Sequence, residues 1–176
     1  MTMSRGNYGI LLLSLVLALP LMGSGWAQTT NPASPDHAIL YKRAVSLLDQ
    51  AQQQLNAGNL SAAKSQAKEV NSLFTLLKDQ YASVLAEHEL TPQEEQQLAI
   101  NQKLASDTQA QADRLMATAA AQDKKAQNLE AQGQEDASKA SYRQSRDEYN
   151  RAQSLYIKSS IYALRNQQRV FRFVAP

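Results

Sequence analysis

Apolar side chains recur at spacings of three and four along most of this chain, and the places where that rhythm stops mark out helices. Between about Pro35 and Ala57, the positions Tyr41, Ala44, Leu48, Ala51 and Leu55 share one helical face. Ser34 before Pro35 predicts the start: a serine hydroxyl can accept an unpaired first-turn amide hydrogen, and proline lacks the hydrogen that would be unpaired there anyway. Gly58 predicts the stop, in the left-handed conformation that ends many helices, and Asn59 is placed to cap the next one. Leu60, Ala63, Ala67, Val70, Phe74, Leu77, Tyr81 and Val84 then hold the same spacing. They predict a second, longer amphipathic helix antiparallel to the first.

The rhythm breaks at Leu90-Thr91-Pro92-Gln93-Glu94 and restarts with a capping box, in which the Thr91 hydroxyl accepts the Glu94 amide hydrogen and the Glu94 carboxylate reaches back to the Thr91 amide. A third helix runs from Pro92 toward Gln132, about 60 Å at 1.5 Å per residue. Ser106-Asp107-Thr108-Gln109 also fits a capping box, so this helix is either continuous or divided there. Its seam of Leu98, Ala105, Ala112, Leu115, Ala119, Ala126 and Leu129 is thin, which allows close approach but buries little area per turn. Gly133 ends it as Gly58 ends the first. A fourth helix from about Glu135 to Gln168 carries Tyr142, Tyr149 and Tyr156 seven residues apart, alternating with Ser145, Ala152 and Ser159. A large/small alternation of this kind suits interlocking with a neighbouring helix.

A shift of 75 residues superposes the two glycine-centred hairpins: Ala51, Gln52, Gly58, Ala62, Lys64 and Tyr81 fall on Ala126, Gln127, Gly133, Ala137, Lys139 and Tyr156, and Phe74 falls on Tyr149. The expected fold is all-α, with two long antiparallel hairpins forming a four-helix bundle or an elongated helical-repeat rod. Hairpin one spans 35–88 and hairpin two 92–168, turning at Gly58 and Gly133. Phe74, Tyr81, Tyr142, Tyr149 and Tyr156 are the large members of the expected packing seam.

Composition narrows the class further. From Gln28 onward, alanine supplies 25 and glutamine 21 of 149 residues, and glycine is reduced to Gly58 and Gly133. So few breakers exclude a β-sandwich, a doubly wound α/β fold and a glycine-rich phosphate loop. The first 27 residues differ: Arg5, an apolar run from Ile10 to Met22, then small residues ending in Gly25-Trp26-Ala27. This pattern predicts a secretory signal cleaved after Ala27, a short linker over 28–34 and a periplasmic mature protein. The run is shorter than the roughly 20 residues a membrane span needs, so the mature form is expected not to cross a membrane. With no cysteine in the chain, a disulfide framework, a thiol enzyme, a lipoprotein anchor and covalent haem attachment are excluded.

Candidate chemistry is sparse. The mature chain has only His37 and His88, neither in a metal-ligand spacing, so no nucleophile triad or di-iron motif can be assembled. Glu87, His88 and Glu89 come nearest to a metal site, but consecutive helical residues do not share a face, and they read as a solvated turn. No cofactor is implied, although axial haem ligation by a histidine with Met116 would make the chain a carrier.

Charge is more informative. From Lys139 onward there are 8 basic and 2 acidic residues, against 9 basic and 14 acidic between Gln28 and Ser138. Arg151, Lys158, Arg165 and Arg172 recur every seven residues on the face opposite the tyrosines. They read either as a solvated face pairing with acidic residues of neighbouring helices, or as a docking face for an anionic envelope component. The final stretch over 169–176 alternates basic and apolar residues, which predicts a tail that caps the bundle end or adds as an extended segment to a partner.

Two family resemblances follow from short motifs. The stretch Ala51 to Phe74, with LNAGNLSAAKSQA across the turn, resembles tetratricopeptide-type hairpins and the alanine-rich hairpin domains of bacterial envelope proteins, without the 34-residue period or the tryptophan and proline of that pattern. Leu90-Thr91-Pro92-Gln93-Glu94, followed by Glu95-Gln96-Gln97-Leu98, is similar to the LTxxQ motif of small periplasmic chaperones of the Spy type, with Glu94 in place of glutamine and no second copy. The second resemblance implies a dimeric, all-helical cradle that holds unfolded clients without ATP. The expectation is therefore an exported, non-enzymatic adaptor or scaffold that binds an envelope partner, with a periplasmic holdase as the alternative and a metal or haem carrier third. Nucleic acid is not expected as a partner, and a homodimer is compatible with the pattern.

Overall fold

A computed structural model describes residues 37–82 and 89–174 of the chain. The signal and linker segments, the Ser34-Pro35 start, and Val84, Glu87 and His88 lie outside the described residues. Four helices account for the described chain: α1 (His37–Asn56), α2 (Leu60–Gln80), α3 (Pro92–Ala131) and α4 (Glu135–Val174). The architecture is all-α, and the described residues include no strand.

Hairpin one forms as its spacing predicts. Ala44, Leu48, Ala51 and Leu55 of α1 are buried against Ala63, Ala67, Val70, Leu73, Phe74 and Leu77 of α2. At the turn, the Gly58 amide donates to the Leu55 carbonyl and the Asn59 amide to that of Gln54, with Gly58 at φ 79°. Hairpin two turns identically: the Gly133 amide donates to the Glu130 carbonyl and the Gln134 amide to that of Leu129, with Gly133 at φ 74°. Both are Schellman closures, which satisfy the last orphan carbonyls and need a residue without the Cβ that opposes positive φ. Asn59 departs from expectation: its side chain makes no cap bond and instead donates to the Gln54 side chain.

Helix α3 begins with the expected Thr91–Glu94 capping box. It then runs unbroken through Ser106. Asp107 pairs with Lys103 one turn back rather than capping a new helix, and Thr108 is buried in the seam. Leu98, Asn101, Ala105, Thr108, Ala112, Ala119 and Ala126 face α4. Opposite them, Ser138, Ser145, Ala152, Ser159 and Asn166 are buried at seven-residue intervals.

These small residues do more than permit close approach. The hydroxyls of Ser138, Ser145 and Ser159 donate to the carbonyls of Ala126, Ala119 and Ala105 at 3.0, 2.9 and 2.8 Å. The Asn166 amide donates to the Leu98 carbonyl at 3.0 Å. All four bonds lie in one antiparallel register, each using the second lone pair of a carbonyl already engaged in its own helix. Ala112 and Ala152, both fully buried, fill the one rung without a donor. The tyrosines are displaced from the centre of this seam: Tyr142, Tyr149 and Tyr156 are half-buried along its edge, since a ring between two helices this close would force them apart.

Helix α4 also joins the two hairpins. Its C-terminal half turns Ile157, Ile161, Leu164 and Phe171 into the core of hairpin one, while its opposite face stays on α3. Phe171 stacks on Phe74 with ring centroids 5.5 Å apart and planes 17° from parallel. The Tyr41 hydroxyl donates to the Gln168 carbonyl at 3.3 Å. The stretch from Arg169 is accordingly not a separate tail: α4 stays helical through Val174, because Phe171 continues the spacing of Leu164 and is buried against Phe74. The N-terminal half of α4, with the part of α3 it covers, extends beyond hairpin one as a two-helix arm.

Candidate functional site

The four heptad-spaced cations of α4 do not act as one free stripe. Arg151 is exposed on the two-helix arm, and Lys158 is exposed with its ammonium 5.9 Å from the Tyr162 ring centroid. Arg165 is used by the fold: its guanidinium bridges to Asp49 of α1 at 2.6 Å and donates to the Gln168 side chain at 2.9 Å. This is the pairing with a neighbouring helix anticipated as one reading of the stripe. Arg172 is exposed at the far end.

Arg172 borders two clefts. One, of about 580 Å³, lies along α1 and is lined by Lys42, Val45, Asp49 and Gln168 among others. The second, of about 350 Å³, lies along the start of α3 and is lined by Gln93, Glu94, Gln97 and Arg169. The Arg169 guanidinium donates to the Gln97 side chain at 2.9 Å, which ties α4 to α3 across the second cleft. Since α3 packs on one side of α4 and α1 on another, the two clefts lie on either side of α4 and meet at Arg172. Lys42 and Arg169 were missed as site residues by sequence reasoning. Lys42 is far away along the chain, and Arg169 falls outside the heptad stripe, so only the packing of α1 and α3 around α4 reveals them.

The tyrosine edge has its own electrostatics. The Tyr156 hydroxyl donates to the Asp113 carboxylate at 2.6 Å, and that hydrogen bond, with burial and the nearby negative charge, pushes its pKa up to about 12. Tyr142 donates to Glu130 at 3.0 Å, and the same hydrogen bond, followed by desolvation, raises its pKa above the ordinary phenol value. Both rings are therefore protonated clasps between α4 and α3. In hairpin one, Phe74 is buried, while half-buried Tyr81 lies against the His37 ring with centroids 4.7 Å apart.

The hydroxyls of Ser138, Ser145 and Ser159 are committed as donors to backbone carbonyls, with Ser145 also 3.3 Å from Asp123. Among the described residues no group of three or more histidines and carboxylates converges on a point where an ion could sit. No described helix is long and apolar enough to cross a membrane. The surface does carry large apolar side chains: Ile39 and Leu76 on hairpin one, and Ile100 and Leu104 one turn apart on α3, each more than two-fifths exposed. No protein-family model matches the chain, and no curated protein or solved structure matches it.

Proposed function

We propose that this chain is an exported, non-enzymatic helical adaptor that binds a protein partner in the bacterial envelope through its outer helix faces. The observation that carries the reading is the set of exposed apolar side chains Ile39, Leu76, Ile100 and Leu104 on long, otherwise polar helices. An isolated exposed leucine is ordinary, but large apolar residues paired at helical spacing on rigid helices match the anchors that a partner surface covers. The fold supports display over chemistry: its seam serines Ser138, Ser145 and Ser159 are spent holding α3 against α4, and its open clefts are lined by long flexible side chains. The export half of the proposal rests on the signal-like first 27 residues.

The test is photocrosslinking in cells expressing the full chain, with a photoreactive residue in place of Leu104 or Ile39, followed by fractionation and N-terminal sequencing of the recovered protein. The expected outcome is a mature N-terminus at Gln28, recovery with the envelope fraction, and one discrete adduct. A smear of many unrelated adducts, together with suppression of aggregation of several unfolded proteins, would replace the adaptor reading with the holdase. Retention of the protein in the cytoplasm with its first 27 residues intact would refute export.

A further inference from the structure

Hairpin one has two long edges, and α4 covers one of them. Tyr41 and Asp49 mark the covered edge on α1, where they bond Gln168 and Arg165, and Phe74 of α2 meets Phe171 there. The opposite edge is open. On α1 it carries Ile39, Arg43 and Leu47, spaced by four and offset two residues, about 200° around the helix, from Tyr41. On α2 the matching stripe is Gln66, Glu69, Leu73 and Leu76: Arg43 pairs with Glu69, and the Gln66 amide donates to Gln50 at 3.2 Å, which fixes both stripes on one edge. Ile39 lies one turn before Arg43 and Leu76 two turns after Glu69, so on antiparallel helices both stand toward the same end of that edge, 62 % and 51 % exposed. Leu47 and Leu73 join this exposed pair to the core.

The two-helix arm shows that such an edge need not be apolar. Under the 75-residue shift that superposes the hairpins, Ile39, Leu47, Leu73 and Leu76 fall on Arg114, Gln122, Glu148 and Arg151. The same edge is thus charged and polar on the arm but apolar on hairpin one, where α4 leaves it uncovered. Its charge is balanced as well. Arg43 and Glu69 are the only charged residues of α1 and α2 on these two stripes, and they are already paired with each other. An acidic or basic partner therefore gains little attraction here, whereas a surface with the same balance meets it without like charges opposed.

We infer that this edge is the interface of a homodimer, in which two copies of hairpin one form a four-helix bundle about a two-fold axis parallel to their helices. That axis sets α1 of each copy against α2 of the other, antiparallel at every contact, as within the hairpin itself. Ile39 of one copy then meets Leu76 of the second, and the Arg43 and Glu69 pairs combine into a ring of alternating charge. The strip from Ile39 to Gln54 is about 22 Å long and two helices, about 20 Å, wide, so on the order of 450 Å² is covered on each copy, a size typical of weak, concentration-dependent dimers. The dimer uses Ile39 and Leu76 and leaves Ile100 and Leu104 on α3 to the envelope partner, so it stands or falls apart from the adaptor reading.

The experiment is sedimentation velocity of the purified chain over a concentration series spanning the micromolar range. Reversible conversion of monomer to dimer is expected, with about tenfold or greater weakening in Ile39→Glu/Leu76→Glu and none in the control Ile100→Glu/Leu104→Glu. Arg43→Glu and Glu69→Arg each set four like charges around the axis and are each expected to weaken the dimer about tenfold. An equimolar mixture of these two variants is expected to dimerise within about threefold of the parent, because two negative side chains on one copy then face two positive ones on the other. Repulsion inside each hairpin is unchanged by mixing, so only contact between copies produces that recovery. Circular dichroism checks that every variant keeps its helix content. A mixture that associates no better than either variant alone overturns the interface, as does a dimer lost in Ile100→Glu/Leu104→Glu but kept in Ile39→Glu/Leu76→Glu. A chain that stays monomeric throughout also overturns it, whether that chain instead binds phosphatidylcholine vesicles through Ile39 and Leu76 or crosslinks at Ile39 to a different protein.

Discussion

Ala112 and Ala152 meet at the middle of the α3/α4 seam with no exposed surface, one heptad from the Ser145 and Ser159 hydrogen bonds on either side. Replacing Ala112 by leucine puts three extra carbons where the two helices are closest. Leucine-sized contacts need interaxial distances toward the upper end of about 8–10 Å, so α3 and α4 must separate locally or the leucine must adopt a poor rotamer. Overpacking of this kind costs about 1–3 kcal/mol. Separation also stretches the two flanking serine–carbonyl bonds, each of which contributes about 0.5–1.5 kcal/mol net. The combined cost is about 2–4 kcal/mol, since the two strains are relieved by the same movement and do not fully add. At about 2–4 °C per kcal/mol for a chain of this size, Tm falls by roughly 5–15 °C. The assay is thermal and urea unfolding followed by circular dichroism, with Ala120→Leu as control. Ala120 is exposed on the same helix, and its substitution is expected to stay within about 0.5 kcal/mol of the parent. An Ala112→Leu protein as stable as the parent, or more so, would show that the helices are not held close in this register and would refute the hydroxyl ladder as their spacer.

Two further outcomes test the ends and edge of α4. Phe171→Ala removes a ring that is 5 % exposed and stacked on Phe74, so a loss of about 3–5 kcal/mol in urea unfolding is expected, whereas a dispensable tail would give almost none. Tyr156 is expected to be among the last phenols to form tyrosinate in a spectrophotometric titration. Its folded pKa is raised, so its contribution to stability is complete below the ordinary phenol value of about 10 and is lost as pH climbs through about 12. Asp113→Asn removes the carboxylate that holds the proton and is expected to return this step toward the ordinary range, while an unchanged titration would mean that the Asp113 bond is not its cause.

The sequence by itself determined the local structure. Spacing of apolar residues, the Thr91 box and the two glycines placed four helices and two turns, because each of these signals acts within one or two helical turns and needs no distant partner. It also located the thin seam of α3 and α4, since a heptad of alanines and serines can serve only close-packed helices. The matching registers of the two hairpins, which share one 75-residue shift down to the Schellman bonds, were visible in the same way. Tertiary structure alone decided what α4 does. Nothing near Ile157, Leu164 or Phe171 in the chain specifies that their face enters the core of hairpin one, and that burial kept Arg169–Val174 helical where the local alternation pointed to a tail. The same placement consumed Arg165 on Asp49, 116 residues away, and left Lys42, Arg169 and Arg172 lining two open clefts. Periodicity fixes which face of a helix is apolar or charged, but what that face meets depends on how separate helices pack, and here that packing divided one cationic stripe into a structural tether at Arg165 and exposed cations on either side of it.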